Sequence, residues 1–317
     1  MVIEQPELPP SLAGHRQLEI LWQRLSYVHA HHKCTHGKRG LLVYGNSGEG
    51  KTFAVKQYKA LFAEVCTKEV IKTPVFYYRL TESRKSVDDL LAMLILALGG
   101  TPVKGKTRAG ELFHQFKILV NAKEIELFII DEIQQVLPKT DGQRALEIVK
   151  FLCGLIDSEE MNTAFVFVGS HRAMRLLTLG EAGNTVDDNE QLSRRMLRPV
   201  KLSRIKPRST EWVNVVNFFM KSLNFGPLLI PDDREIFDRL YLAYNERAFS
   251  TMSDLFLGGT PNKIKSRAAL LDYLATQFDI TGKSALNPFK RKTLDYDEVR
   301  AAIDTIRDHY FTQQEAN

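Results

Sequence analysis

Apolar residues recur along this chain at two different periods, and the change of period divides it. From 17 to 28, Leu18, Leu21, Trp22, Leu25 and Val28 fall at helical spacing. The run GLLVYG over 40–45 is too short and too solidly apolar for an amphipathic helix and predicts a buried strand. A loop over 46–50 and a helix over 51–65 follow. The segment 73–80 holds Val75, Phe76, Tyr77 and Tyr78, a second strand. Over 86–98, Val87, Leu90, Leu91, Leu94, Ile95 and Leu98 form one helical face, with Asp88 and Asp89 suited to the dipole at its start and Gly99 and Gly100 ending it. Further helices are predicted over 109–121 and 143–157, with strands over 127–130, 164–168 and 200–202. Strands that are solid apolar runs, alternating with helices, predict an α/β fold: a parallel five-stranded sheet covered on both faces. Beyond Lys206 the pattern turns all-helical, with candidate helices over 209–223, 232–245, 262–278 and 296–311. Pro227, Pro231, Pro261 and Pro288 punctuate them. The division expected is an N-terminal extension and helix over 1–36, an α/β core over 37–206 and a helical domain over 207–317.

Composition adds little to that picture. With 317 residues, 44% of them hydrophobic, there is enough chain for a large core with a smaller companion. A net charge of +5 is a mild bias toward polyanions. The three cysteines, Cys34, Cys66 and Cys153, form no CxxC pair and suggest neither a zinc site nor a disulfide framework. The first twelve residues lack a signal-peptide pattern, and the longest apolar stretch, 90–98, is about half of what a membrane span needs. A cytoplasmic protein without a membrane segment is the expectation.

The chemistry begins at residues 45–52, GNSGEGKT, which match the phosphate-loop pattern GxxxxGK[ST] at every fixed position. A strand precedes the motif and a helix follows it, as the motif requires. The residues expected around the phosphates of ATP are Gly45, Asn46, Ser47, Gly48, Glu49, Gly50, Lys51, Thr52 and the adjoining Phe53. Backbone N–H groups and the helix N-terminus favour the anion, Lys51 reaches the β- and γ-phosphates, and Thr52 sets a hydroxyl on Mg²⁺. The run LFIIDE over 127–132 then ends a buried strand in two carboxylates, at the end of a sheet where ligands bind. Asp131 is expected to hold Mg²⁺ through water, and Glu132 to orient or deprotonate the attacking water.

About eighty residues separate Lys51 from Asp131, with a full strand–helix unit between them and room for a strand between the phosphate-loop strand and the acidic one. This arrangement resembles the AAA+ branch of P-loop ATPases. That resemblance makes Ser170 the polar residue that helps position the attacking water, with His171 as an alternative. It makes Arg194 or Arg195, in QLSRR over 191–195, the arginine that reaches a neighbouring subunit's γ-phosphate. The wording of IIDEIQ over 129–134, FVGS over 167–170 and QLSRR is similar to the TniB/TnsC family of transposition regulators, over residues 10 to 205. SLAGHR over 11–16 resembles that family's adenine-side segment, which brings in His15 and Arg16. GGTPNKIK over 258–265 resembles the start of its nucleotide-sensing helix, which brings in Lys263, with Lys265 behind it. The resemblance implies ATP-bound rings or filaments of identical subunits on duplex DNA, in a bacterial cytoplasm. It also implies a transposase and a TniQ-type target-selection adaptor as partners, and a helical lid domain at the C-terminus.

DNA contact is expected at Lys104, Lys106, Thr107 and Arg108, a connector with cations, a hydroxyl and no aromatic platform. Such a loop suits sequence-independent contact with phosphates; an ordinary solvated loop is the alternative. The basic stretch 283–292 reads as a charged linker, and the histidines of 29–36 as a helix end without a metal. Two other functions share the nucleotide motifs. A replication-initiator or helicase-loader type ATPase would add a winged-helix reader, for which 207–317 gives no hairpin signal. A nucleotide-binding scaffold would not turn over.

Overall fold

In a computed structural model the described residues are 15–33, 38–66, 71–81, 86–103, 108–140, 142–179, 192–257 and 264–311. Strands β1 (Leu41–Tyr44), β4 (Val75–Arg79), β5 (Leu127–Asp131), β6 (Ala164–Gly169) and β7 (Val200–Lys201) form one sheet in the order β4-β5-β6-β1-β7. Every pairing in it is parallel. The strand that separates the phosphate-loop strand β1 from the acidic strand β5 is β6. A two-stranded antiparallel ribbon, β2 (Val65–Cys66) with β3 (Ile71–Lys72), stands apart. By contacts the described residues divide into two units, one within Gln17–Asn46 and Lys51–Leu202, the other comprising 15–16, Ser47–Gly50 and 203–311.

The first unit holds the sheet with helices α1 (Arg16–Ala30), α2 (Lys51–Ala60), α3 (Val87–Ala97), α4 (Arg108–Ala122), α5 (Gln143–Asp157) and the short α6 (Arg175–Thr178). All residues of β5 and β6 are buried, as solid apolar strands covered on both faces require. Phe128 sits at the middle of this core, with ring centroids 4.9 Å from Phe76, 5.6 Å from Phe116 and 5.8 Å from Phe165. Truncating such a residue to Ala costs about 3–5 kcal/mol. Helix α3 starts at Ser86, whose Oγ accepts from the Asp89 N–H at 3.1 Å. It stops where Gly99, at φ +83°, lets the Gly100 N–H return to Ile95 O at 2.9 Å. Helix α2 ends at Ala60, short of the predicted 65. The N–H groups of Leu61 and Phe62 close back on Tyr58 and Lys59, and the Phe62 ring turns onto His29 at 4.6 Å, so the chain enters the ribbon instead.

The second unit is helical: α7 (Thr210–Ser222), α8 (Arg234–Arg247), α9 (Phe249–Leu257), α10 (Arg267–Thr281) and α11 (Tyr296–Phe311). Trp212, Tyr241 and Tyr244 pack mutually at its centre, at 5.0–5.6 Å. The guanidinium of the buried Arg239 donates to Glu235 and to the carbonyls of Pro288 and Leu294, so its charge and its donors are met inside the unit. Helix α10 begins at Arg267 rather than at 262, because Ser266 caps it by accepting from the Ala269 N–H. Helix α9 has no counterpart in the sequence prediction. Ala248, at φ +50°, breaks α8 from α9 without a glycine or proline to mark the break. Among the described residues no helix is long and apolar enough to cross a membrane.

Candidate functional site

Strand β1 delivers the chain into the phosphate loop, and α2 begins at Lys51. Gly48 and Gly50 have φ of +85° and +86°, conformations costing roughly 1–2 kcal/mol for a residue with a side chain. The two glycines set the turn from which α2 starts, and the N-terminus of a helix is a place suited to an anion. Lys51 is buried, and its Nζ donates to Gly45 O at 2.9 Å and Asn46 O at 2.5 Å. Its charge is held over the loop by the loop's own carbonyls.

In the first turn of the helix, the Thr52 hydroxyl donates to Asp131 Oδ2 at 2.7 Å. The hydroxyl of Tyr77 donates to the same oxygen at 2.7 Å, and the Glu132 N–H donates to Oδ1 at 2.8 Å. Asp131 is 1% exposed, and a carboxylate so buried needs donors of this number. Burial first, then the bond to Asp131, raises the Tyr77 phenol well above its ordinary range, so it remains a donor at neutral pH. The hydroxyl of Thr52 and the carboxylate of Asp131 form the hard oxygen pair that Mg²⁺ favours, and they fit it.

Glu132 follows in the left-handed region, φ +61°, which turns it off the line of β5. One carboxylate oxygen lies 3.4 Å from Arg79 Nη2, and the other accepts from Gln134 Nε2. Arg79 is brought there by register, since β4 sets it opposite Asp131. Gln134 in turn accepts from the Ser170 N–H at 2.9 Å. Lys51, Thr52, Asp131, Glu132 and Ser170 are thus connected by the ends of β1, β5 and β6.

Arg194 and Arg195 lie on a helical turn over Leu192–Arg195 that is pinned beside β1. The Gly40 N–H donates to Arg195 O and the Leu197 N–H to Gly40 O, each at 2.8 Å. A Cβ at Gly40 would stand 2.5 Å from Met196 Sδ, so the glycine is what admits this turn. Arg195 Nε is paired with Asp157 Oδ2 at 2.5 Å, whereas Arg194 is exposed. His171 is exposed and edge-on to Tyr44 at 5.5 Å. Among the remaining sequence-predicted residues, Asn46, Ser47, Phe53 and Arg16 are exposed and Glu49 is buried. His15 is buried in the helical unit, with Nδ1 2.9 Å from Glu211 Oε1 and its ring 5.6 Å from Phe249. Lys104, Lys106, Thr107 and Lys263 lie outside the described residues, as does the side chain of Arg108 at the start of α4; Lys265 is exposed. His29 spends both ring nitrogens internally, on Tyr58 at 3.1 Å and Glu126 at 3.2 Å.

Tyr77, Arg79 and Gln134 were not predicted as site residues. Only the register of β4 against β5 reveals the first two, and Gln134 is visible in sequence merely as a polar residue after the acids.

Residues 33–177, which carry the phosphate loop, Asp131, Glu132 and Ser170, match the family model described as an AAA domain. No curated protein matches the sequence significantly. Among solved structures, the Aeropyrum pernix ORC1 protein in complex with DNA is 17% identical, with 96% of this chain and 68% of that one covered, at a TM-score of 0.46. A Walker-type ATPase of Pyrococcus abyssi is 11% identical over 96% of this chain and 75% of its own, at 0.49. The ADP complex of S. cerevisiae Hsp104 is 13% identical over 78% and 44%, at 0.43. The parallel sheet order, the phosphate loop leading into α2 and the matched span make this an AAA+ P-loop NTPase fold, followed in the chain by a helical region.

Proposed function

We propose that this chain binds ATP with Mg²⁺ and hydrolyses it, and that it does so as a homo-oligomer on duplex DNA, regulating transposition between a TniQ-type target-selection adaptor and a transposase. The observation that carries the ATPase part is the meeting of Thr52, Asp131 and Glu132 at the ends of α2 and β5, next to Lys51. On ATP binding Lys51 exchanges the carbonyls of Gly45 and Asn46 for phosphate oxygens, a stronger charge-assisted contact. Thr52 and Asp131 hold Mg²⁺, which when bound neutralises charge on the phosphates. Glu132 orients water or takes its proton, with Ser170 beside it. Arg194 is our choice for the arginine offered to a neighbour's γ-phosphate. It is the more exposed of the two. His15, Arg16 and Lys263 remain the residues proposed for the nucleotide's other end.

The transposition part is supported by the similarity of IIDEIQ, FVGS and QLSRR to the TniB/TnsC family. The initiator-type alternative would add a winged-helix reader. The described residues over 203–311 hold helices and no strand, so that reading gains nothing further.

The test combines phosphate release with negative-stain imaging, in ATP, Mg²⁺ and duplex DNA, beside ADP and DNA-free controls. The expected outcome is DNA-threaded rings or filaments in ATP alone, no ATP binding in Lys51→Ala, and trapped assemblies without turnover in Glu132→Gln. Monomers under every condition would overturn the oligomer, and absence of phosphate release would overturn hydrolysis.

A further inference from the structure

Gln134 stands two residues after Glu132, in the helical turn Ile133–Gln135, and its side chain points at two things at once. Its Oε1 faces the Ser170 N–H at 2.9 Å, and its Nε2 faces the Glu132 carboxylate. The orientation of the amide follows from chemistry, because a backbone N–H can only donate. The carbonyl end must therefore face Ser170, which leaves the NH₂ end for the carboxylate. Each end meets the one partner type it can bond. The slot is also built. Gly169, the last residue of β6, has no side chain, and a Cβ there would stand 2.5 Å from Gln134 Oε1. The Ser170 N–H that meets the amide begins the turn His171–Met174, which the Ala173 N–H to Ser170 O bond holds in place.

We infer that Gln134 is a positioning residue for Glu132, tying its carboxylate to the tip of β6 so that the two move as one. The inference rests on the reading of Glu132 as the group that prepares the attacking water. With Arg79 3.4 Å from its other oxygen, the Glu132 carboxylate is held from two sides by N–H donors of its own chain. Such donors fix its direction. A displacement of the β6 tip, where Ser170 sits, is then transmitted to Glu132 through one amide rather than through the sheet.

The test uses the full chain with Gln134→Leu, which removes both bonds, and Gln134→Glu, which keeps an acceptor for Ser170 but sets a second carboxylate against Glu132. Affinity for a fluorescent ATP analogue is expected within about twofold of the unsubstituted chain, with kcat down on the order of tenfold. A merely structural glutamine would leave kcat in place or lower it together with ATP affinity, and either result in both variants overturns the inference. Glu132→Gln, assayed alongside, separates the two claims, since turnover like the unsubstituted chain's would remove the reading of Glu132 itself. A second readout needs no nucleotide. Denaturation midpoints of Gln134→Leu, Glu132→Ala and the double variant should be non-additive, the double unfolding near the worse single. Additive losses mean that the two side chains are not tied. Should Gln134→Leu fail to fold, Gln134→Glu carries both readouts, and removing Glu132 should then restore part of its lost stability.

Discussion

Thr52 and Asp131 meet at 2.7 Å across 79 residues of chain, and their bond joins the first turn of α2 to the end of β5. Tyr77 and the Glu132 N–H hold the same carboxylate from other sides. A site so arranged spends little on ordering itself when a cation arrives. Asp131→Asn keeps the shape and removes the charge. We expect it to abolish the tightening of ATP by Mg²⁺, a loss of about tenfold or more, while affinity in EDTA changes little. Titration of a fluorescent ATP analogue with and without Mg²⁺ reads this directly. An undiminished Mg²⁺ effect would take the cation away from Asp131.

The two arginines next to β1 differ in exposure. Arg195 is bound to Asp157 on α5, and Arg194 is exposed on the same turn. Arg194→Ala is expected to reduce turnover in the assembled state by on the order of 10³-fold, the lower end of what an arginine supplied to a γ-phosphate contributes. Arg195→Ala should instead cost at most about 1 kcal/mol of stability, as a part-exposed ion pair does. Phosphate release measured on both variants decides between them, and the reverse ranking would move the assignment to Arg195.

The division of labour between sequence and fold is visible in these residues. The phosphate loop and the pair of acids were legible because each is contiguous and its spacing is dictated by the shape of a phosphate or the end of a strand. Strands β1, β5 and β6 were legible as solid apolar runs, because burial on both faces leaves few polar positions to confuse the period. What stayed hidden depends on register or on a single dihedral. Tyr77 reaches Asp131 only once β4 pairs with β5, and α9 is a separate helix only because Ala248 takes a positive φ. Helix α2 was read too long because apolar and polar residues continue at helical spacing past Ala60. The attraction of the Phe62 ring to His29 and Tyr58 ends it, and that is a tertiary contact.

In the helical unit Asp233 carries an acid-sensitive contact. Its carboxylate accepts from Arg267 at 2.8 and 3.0 Å and from the Leu229 N–H at 2.8 Å. The Arg267 bond above all holds its pKa below the ordinary value. A depressed folded pKa contributes stability that is complete above the unfolded value of about 3.9 and is lost as pH falls through the folded one. Arg267→Ala should therefore make this unit unfold at a higher pH on acidification. Because Arg267 is over half exposed, the loss at neutral pH is small. Trp212 lies in this unit and Trp22 in the other, so fluorescence in a Trp22→Phe background follows the helical unit alone. An unchanged acid midpoint would mean that the Arg267 contact does not survive in solution.

The surface proposed for DNA yields to a salt titration. Lys104, Lys106 and Arg108 were assigned to backbone phosphates on charge and resemblance, with no aromatic residue to stack on a base. Each phosphate neutralised adds about 0.9 to the slope of log K against log salt for duplex DNA. Reversing all three charges to Glu should lower affinity at every sequence alike and flatten the slope by roughly 2.7, if each cation meets one phosphate. The control is ATP affinity without DNA, which should not move. A weaker complex with an unchanged slope would mean that the reversal disturbs assembly rather than contact. Unchanged affinity and slope together would move the DNA surface elsewhere, and the basic stretch of 283–292, with Lys290, Arg291 and Lys292, is where the next reversal would be made.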